Sequence, residues 1–121
     1  MKELDRQKPV WIIETESELF EVRIDHVSHI EAEIHQTILT TRRGVYTTCQ
    51  TLATWRECIE SAGVDRLFIS PHRSFIINLM WVLRLDRKTV RMANGKEIPL
   101  ARGRFAEVSQ AWLASRRTGR E

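Results

Sequence analysis

The sequence predicts a mainly β single domain. Three observations carry this: short runs alternating polar and apolar residues, Gly-containing turn signals between them, and only two stretches with helical spacing. The length of 121 residues is room for one domain, and 42% hydrophobic residues is enough for a core. With 5 Gly and 3 Pro, a collagen-like or low-complexity chain is excluded.

The elements follow in chain order. Residues 1–9 read as a polar tail. Val10, Trp11, Ile12 and Ile13, ended by Glu14, make too short an apolar run for a signal peptide or a membrane span, so the expected compartment is the cytoplasm. Glu18-Leu19-Phe20-Glu21-Val22-Arg23-Ile24 has the period of two that marks a half-buried strand. Ile38-Leu39-Thr40-Thr41 and Val45-Tyr46-Thr47-Thr48 flank Arg42-Arg43-Gly44, a hairpin with Gly in its turn. Leu52, Trp55, Ile59 and Ala62 share one helical face, so a short central helix spans about 52–62. Its cap is either Thr51 or Thr54, the latter pairing with Glu57 as a capping box, and Gly63 stands where helices stop.

Arg66-Leu67-Phe68-Ile69 returns to strand character, and Pro71, without an amide hydrogen, is expected to break it. Residues 82–100 hold two hairpins' worth of strand. Their turns fall at Asp86-Arg87-Lys88 and at Ala93-Asn94-Gly95-Lys96, the latter carrying the Asn-Gly hairpin signal. Phe105, Val108 and Trp112 then define a C-terminal helix over about 104–116, followed by a basic tail, 117–121.

Catalytic and metal chemistry find little support. His26 and His29 lie three apart, which in a strand puts them on opposite faces, and no CxxC or HxxxH spacing joins them to Cys49 or Cys58. Cys58 sits beside the apolar helix stripe, where a structural thiol is commoner than a reactive one. No nucleophile elbow surrounds His72 and Ser74, and no glycine-rich loop is present to cradle a phosphate. The chain is therefore read as non-enzymatic, with no metal and no cofactor.

Charge points elsewhere. Net charge is +3, but residues 1–65 carry 7 Lys or Arg against 12 Asp or Glu, and residues 66–121 carry 12 against 4. Such a distribution favours a polyanion at one end of the molecule, or is simply a solvated basic surface. The basic residues that fall in loops are more specific. His72-Arg73-Ser74 follows Pro71, and all three side chains donate hydrogen bonds to phosphates or base edges. Ala101-Arg102-Gly103-Arg104 precedes the last helix, whose first amides also favour a phosphate. A structural role stands beside this one: Arg73 pairing with an N-terminal acid and Ser74 capping a turn.

At these residues the sequence resembles a known family. Phe68-Ile69-Ser70-Pro71-His72-Arg73-Ser74-Phe75-Ile76-Ile77-Asn78 is similar to the F-x-R-x-H-R-S-x-hydrophobic-hydrophobic-N core of LytTR domains, the DNA-binding output domains of many bacterial response regulators. Asn94-Gly95-Lys96-Glu97-Ile98-Pro99-Leu100-Ala101-Arg102 is similar to the family's N-G-x-x-I-P-hydrophobic-S-R, Ile30-Glu31-Ala32 to its I-E-A, and Thr51-Leu52-Ala53-Thr54-Trp55 to its T-L-x-x-L helix. The likeness runs from about Val10 to Trp112.

The resemblance implies an elongated stack of small β-sheets whose loops, not a helix, enter successive major grooves. It places DNA contacts at Arg73 and Arg102, with Arg104 beside the latter, and at a first loop near His35, Gln36 or Thr37. It gives His72, Ser74 and Asn78 supporting roles. Ser70, Pro71 and Ala101 depart from the family pattern, and the departure at Ser70 removes one expected phosphate contact. Arg116, Arg117 and Arg120 are basic groups available to offset it.

The resulting expectation is a sequence-specific double-stranded DNA-binding domain of a bacterial transcription regulator. It is monomeric when free and paired on tandem half-sites, with a sensor domain or protein elsewhere. The rival is a non-enzymatic protein-interaction module using some of Trp11, Trp55, Trp81 and Trp112, although most of these are expected in the core. A single-stranded RNA platform lacks the exposed aromatics it requires.

Overall fold

The computed structural model describes residues 9–119, with side chains through residue 117. The strands are β1 (Val10–Glu14), β2 (Leu19–Arg23), β3 (Val27–Glu33), β4 (Gln36–Thr41), β5 (Val45–Thr48), β6 (Phe68–His72), β7 (Phe75–Asn78), β8 (Val82–Leu85), β9 (Thr89–Met92) and β10 (Glu97–Pro99). The helices are α1 (Leu52–Ser61) and α2 (Phe105–Gly119), with single 3-10 turns at Ile24–His26 and Leu79–Trp81. Of the expected polar tail, only Pro9 lies within the described residues. Its carbonyl accepts a hydrogen bond from the Ile24 amide at 3.0 Å.

The strands form three antiparallel sheets: β1-β2, β8-β9-β10, and a central five-stranded sheet in the order β5-β4-β3-β7-β6. The central sheet is buried on both faces by two cores, and the period of two explains how one strand serves both. Ile76 of β7 packs with Trp11, Ile13, Trp55 and Phe68 beneath β1-β2 and α1. Its neighbours Phe75 and Ile77 face the other way, toward Val90, Met92, Ile98 and Val108 of the three-stranded sheet and α2. β7 is accordingly apolar at three consecutive positions and has no solvent side.

The helices follow their local signals. Thr51 caps α1, its hydroxyl accepting from the Thr54 amide at 3.2 Å, so the Thr54–Glu57 alternative is not the one used. Gly63 follows with φ +72°, a left-handed conformation that glycine adopts without penalty at a helix end. α2 runs past the expected end at residue 116. The Arg116 guanidinium donates to the Val82 carbonyl at 3.0 Å and holds the last turns against the sheet, so the expected basic tail is helical through Gly119. Arg120 lies outside the described residues.

Pro71 does not break its strand. β6 continues through it to His72, with a register shift between Ile69 and His72. β6 is the edge strand, where the missing amide hydrogen withholds nothing from a neighbour, and a bulge accommodates the ring. The Asn-Gly hairpin forms between β9 and β10 as a four-residue connection, with only Gly95 of the pair at positive φ.

Candidate nucleic-acid interface

Strand direction determines which loops share an end of the central sheet. β3 and β7 are antiparallel, with Glu31 opposite Phe75. The end of β3 therefore lies beside the start of β7. The β3–β4 turn (34–35) and the β6–β7 turn (73–74) consequently emerge at the same end. A cross-tie locks them together, the Ala32 amide donating to the Ser74 carbonyl at 2.8 Å.

The third loop, 101–104, is brought to the β6 edge of that end by two further ties. The Ala101 amide donates to the Pro71 carbonyl at 2.8 Å. Arg104 donates to the Ser70 carbonyl through Nε at 3.2 Å and Nη2 at 2.6 Å, and its other nitrogen meets Glu107. Pro71 thus matters through its carbonyl, and the bulge that accommodates its ring sits where that carbonyl anchors the neighbouring loop.

The expected site residues sort into three groups. His35, Arg73 and Arg102 are exposed, one on each loop, and none has a side-chain hydrogen bond or ionic partner among the described residues. Gln36 is half-buried beside them, donating to the Glu33 carboxylate at 3.3 Å. These four are presented to solvent at one end.

Thr37 and Arg104 are corrections. Thr37 is 1% exposed, and its hydroxyl accepts from the Trp55 indole at 2.9 Å and shares a hydrogen bond with Thr48 at 2.9 Å. It sits on the inward face of β4 with Leu39 and Thr41, so it holds α1 to the sheet and does not reach solvent. Arg104 is a clamp between β6 and α2: its guanidinium is engaged by Ser70 and Glu107.

The supporting residues do two different things. His72 Nδ1 accepts from the Ser74 amide at 3.1 Å and its ring packs edge-on with Phe75, which shapes the β6–β7 turn directly. Ser74 supplies the carbonyl of the β3 cross-tie. Asn78 is fully buried at the opposite end of β7. There it donates to the Val27 carbonyl at 2.9 Å and accepts from the Met80 amide at 2.9 Å, so it stabilises the sheet and not the turn.

Two features were not anticipated. Arg56 of α1 donates to Ser70 Oγ at 3.2 Å, placing a guanidinium beside the residue that departs from the family pattern. Ile34, beside His35, is 84% exposed. Its signal is present in the sequence: a β-branched apolar residue in a turn, where Gly, Asn and Asp are favoured.

His29 is buried against Ser28 (2.9 Å), and burial, with Lys96 adding to it, pushes its pKa down to about 4. Burial first, then Glu57, raises the Cys58 thiol, while Cys49 is exposed. Among the described residues, no three His, Cys, Asp or Glu side chains group as metal ligands. No described helix is long and apolar enough to cross a membrane. A mostly apolar groove of about 1120 Å³ runs between the segment 63–69 and α2, lined by none of the expected site residues.

Comparison with known proteins bears on the family and the fold. The profile of the LytTr DNA-binding domain matches residues 17–113. A solved LytTr DNA-binding domain from Bacillus cereus superposes with a TM-score of 0.67 at 22% identity, over 88% of this chain and 97% of the other. No significant match to a curated protein is found.

Proposed function

The chain belongs to the LytTr DNA-binding domain family, and from that premise we propose that it recognises a specific double-stranded DNA sequence as part of a bacterial transcription regulator. The β3–β4 turn, the β6–β7 turn and the 101–104 loop enter the grooves. One observation carries this reading: three loops cross-tied at one end of a sheet each present an unengaged side chain, His35, Arg73 or Arg102. Arginine binds the O6 and N7 of guanine with two hydrogen bonds, and such a pair contributes roughly 1–3 kcal/mol of discrimination. Rigid relative placement is what turns separate contacts into a register along the duplex. Affinity comes largely from phosphate neutralisation by the basic second half of the chain.

The family's reading is non-catalytic, and the assignment needs no metal or cofactor. The domain is expected to be a monomer in solution and to pair on tandem half-sites. A sensor domain or protein supplies the signal. A tight dimer of the free protein at micromolar concentration, seen by sedimentation, contradicts that stoichiometry.

The test compares Arg73→Ala, Arg102→Ala and Arg117→Ala on a selected duplex and a scrambled one, across several salt concentrations. Arg73→Ala and Arg102→Ala should weaken the selected duplex far more than the scrambled one. Arg117→Ala should weaken both alike and reduce the salt slope by about one. Equal losses on both duplexes for Arg73 and Arg102 would make them phosphate contacts. No loss at all would favour the protein-interaction reading.

A further inference from the structure

Among the described residues, Ile34 stands apart from every other exposed apolar side chain. Single exposed hydrophobic side chains are ordinary on protein surfaces. This one is 84% exposed at the tip of a two-residue connection, Glu33 pairing with Gln36 across it. It contributes nothing to either core. Its partner in the turn, His35, has φ +60°, a left-handed backbone that glycine adopts without penalty and that is uncommon in other residues. Two adjacent residues therefore depart from turn chemistry with no packing gain in the folded domain. Local departures of this kind cluster at functional sites.

The surroundings specify the chemistry. Ile34 projects from the end that also presents Arg73 and Arg102, one turn away from the Ala32–Ser74 tie. Glu33, His35 and Gln36 flank it with polar groups, so the apolar surface is one side chain wide. That is too small for a protein-docking patch and enough to cover a single methyl group. Among the groups in the major groove, only thymine presents an apolar one, its 5-methyl.

Resting on the proposed DNA-reading function, we infer that Ile34 is a specificity-determining residue that packs against the 5-methyl group of a thymine in the major groove. His35, held in the left-handed turn, turns its own polar edge to the neighbouring base pair.

The experiment uses the preferred duplex recovered by the protein from a randomised 30-base-pair library. That duplex is resynthesised with each thymine in turn replaced by uracil, which deletes only the methyl group. At one position the wild-type protein should lose about fourfold in affinity, the weight of one methyl group removed from water. Ile34→Ala should bind the all-thymine duplex more weakly by a similar or larger factor and be insensitive to that uracil. Ile34→Val should keep the sensitivity. All three proteins should share one thermal midpoint, since the side chain is outside the cores. If wild type and Ile34→Ala respond alike to every uracil, the inference is overturned while DNA reading stands. If the library yields no preferred duplex, the proposed function falls, and this inference with it.

Discussion

The two ends of the central sheet both present arginines without side-chain partners among the described residues, and they are built differently. At the far end, one turn (42–44) carries Arg42 and Arg43, with Thr41 Oγ1 accepting from the Arg43 and Gly44 amides and the Arg42 amide tied to His26. Burial lowers the pKa of the neighbouring His26, Asp25 opposes, and Arg23, Arg42 and Arg43 lower it further. At the near end, three separate loops are tied to one another through Ala32–Ser74, Ala101–Pro71 and Arg104–Ser70. Charge attracts a polyanion to either end. Only a spaced and mutually fixed set of side chains reads a sequence along it.

Loss of the sheet that separates the two ends should cost the most. Asn78→Ala orphans the buried Val27 carbonyl and removes the partner of the part-buried Met80 amide. At roughly 1–3 kcal/mol per orphaned group, stability should fall by about 3 kcal/mol in denaturant unfolding.

A smaller loss separates two neighbouring residues of β4 and its turn. Thr37→Val leaves the Trp55 indole unpaired and removes one of the two partners of the Thr48 hydroxyl, for about 1–3 kcal/mol of stability. It should leave the affinity of the folded protein for its duplex unchanged. His35→Ala should do the reverse, weakening duplex binding with no loss of thermal stability. If Thr37→Val alters base preference, the inward phase of β4 is wrong.

The interior between the ends has an acid limit. His29 is held at about 4 when folded and titrates near 6.5 when unfolded, so between these values the unfolded chain binds the proton that the fold refuses. Stability should therefore drop as pH falls from about 6.5 to about 4 and level off below. His29→Gln should flatten that slope in thermal midpoints measured against pH. An unchanged slope assigns the acid sensitivity to other groups.

The smallest expected effect sharpens the contrast. Arg43→Ala at the far end should change discrimination between selected and scrambled duplexes by less than about 0.5 kcal/mol, well under the roughly 1–3 kcal/mol expected for a base contact. A loss as large as that of Arg73→Ala would make the far end part of the reading surface.

Local signals in the sequence reached the secondary structure more fully than the site. The stripe through Leu52, Trp55 and Ile59, the stop at Gly63 and the turns around Arg42-Arg43-Gly44 and Asn94-Gly95 depend on neighbours in the chain, and all are found. Pro71 escaped because its tolerance depends on β6 being an edge strand with a bulge, a fact of sheet order. Arg104 escaped because its partner, Ser70, lies 34 residues away in sequence. Thr37 was legible in part: it shares the alternation that buries Leu39, so locating Leu39 in the core locates Thr37 there as well. The convergence of His35, Arg73 and Arg102 required the antiparallel pairing of β3 with β7, which charge counting does not contain.

In the proposed complex, one end of the sheet reads the duplex. Backbone amide chemical shifts of the labelled protein, followed as the library-selected duplex is added, test it most directly. The largest changes should fall at residues 33–36, 72–75 and 101–103, with residues 42–44 nearly unmoved. Changes concentrated at 42–44, or spread evenly over both ends, would contradict it.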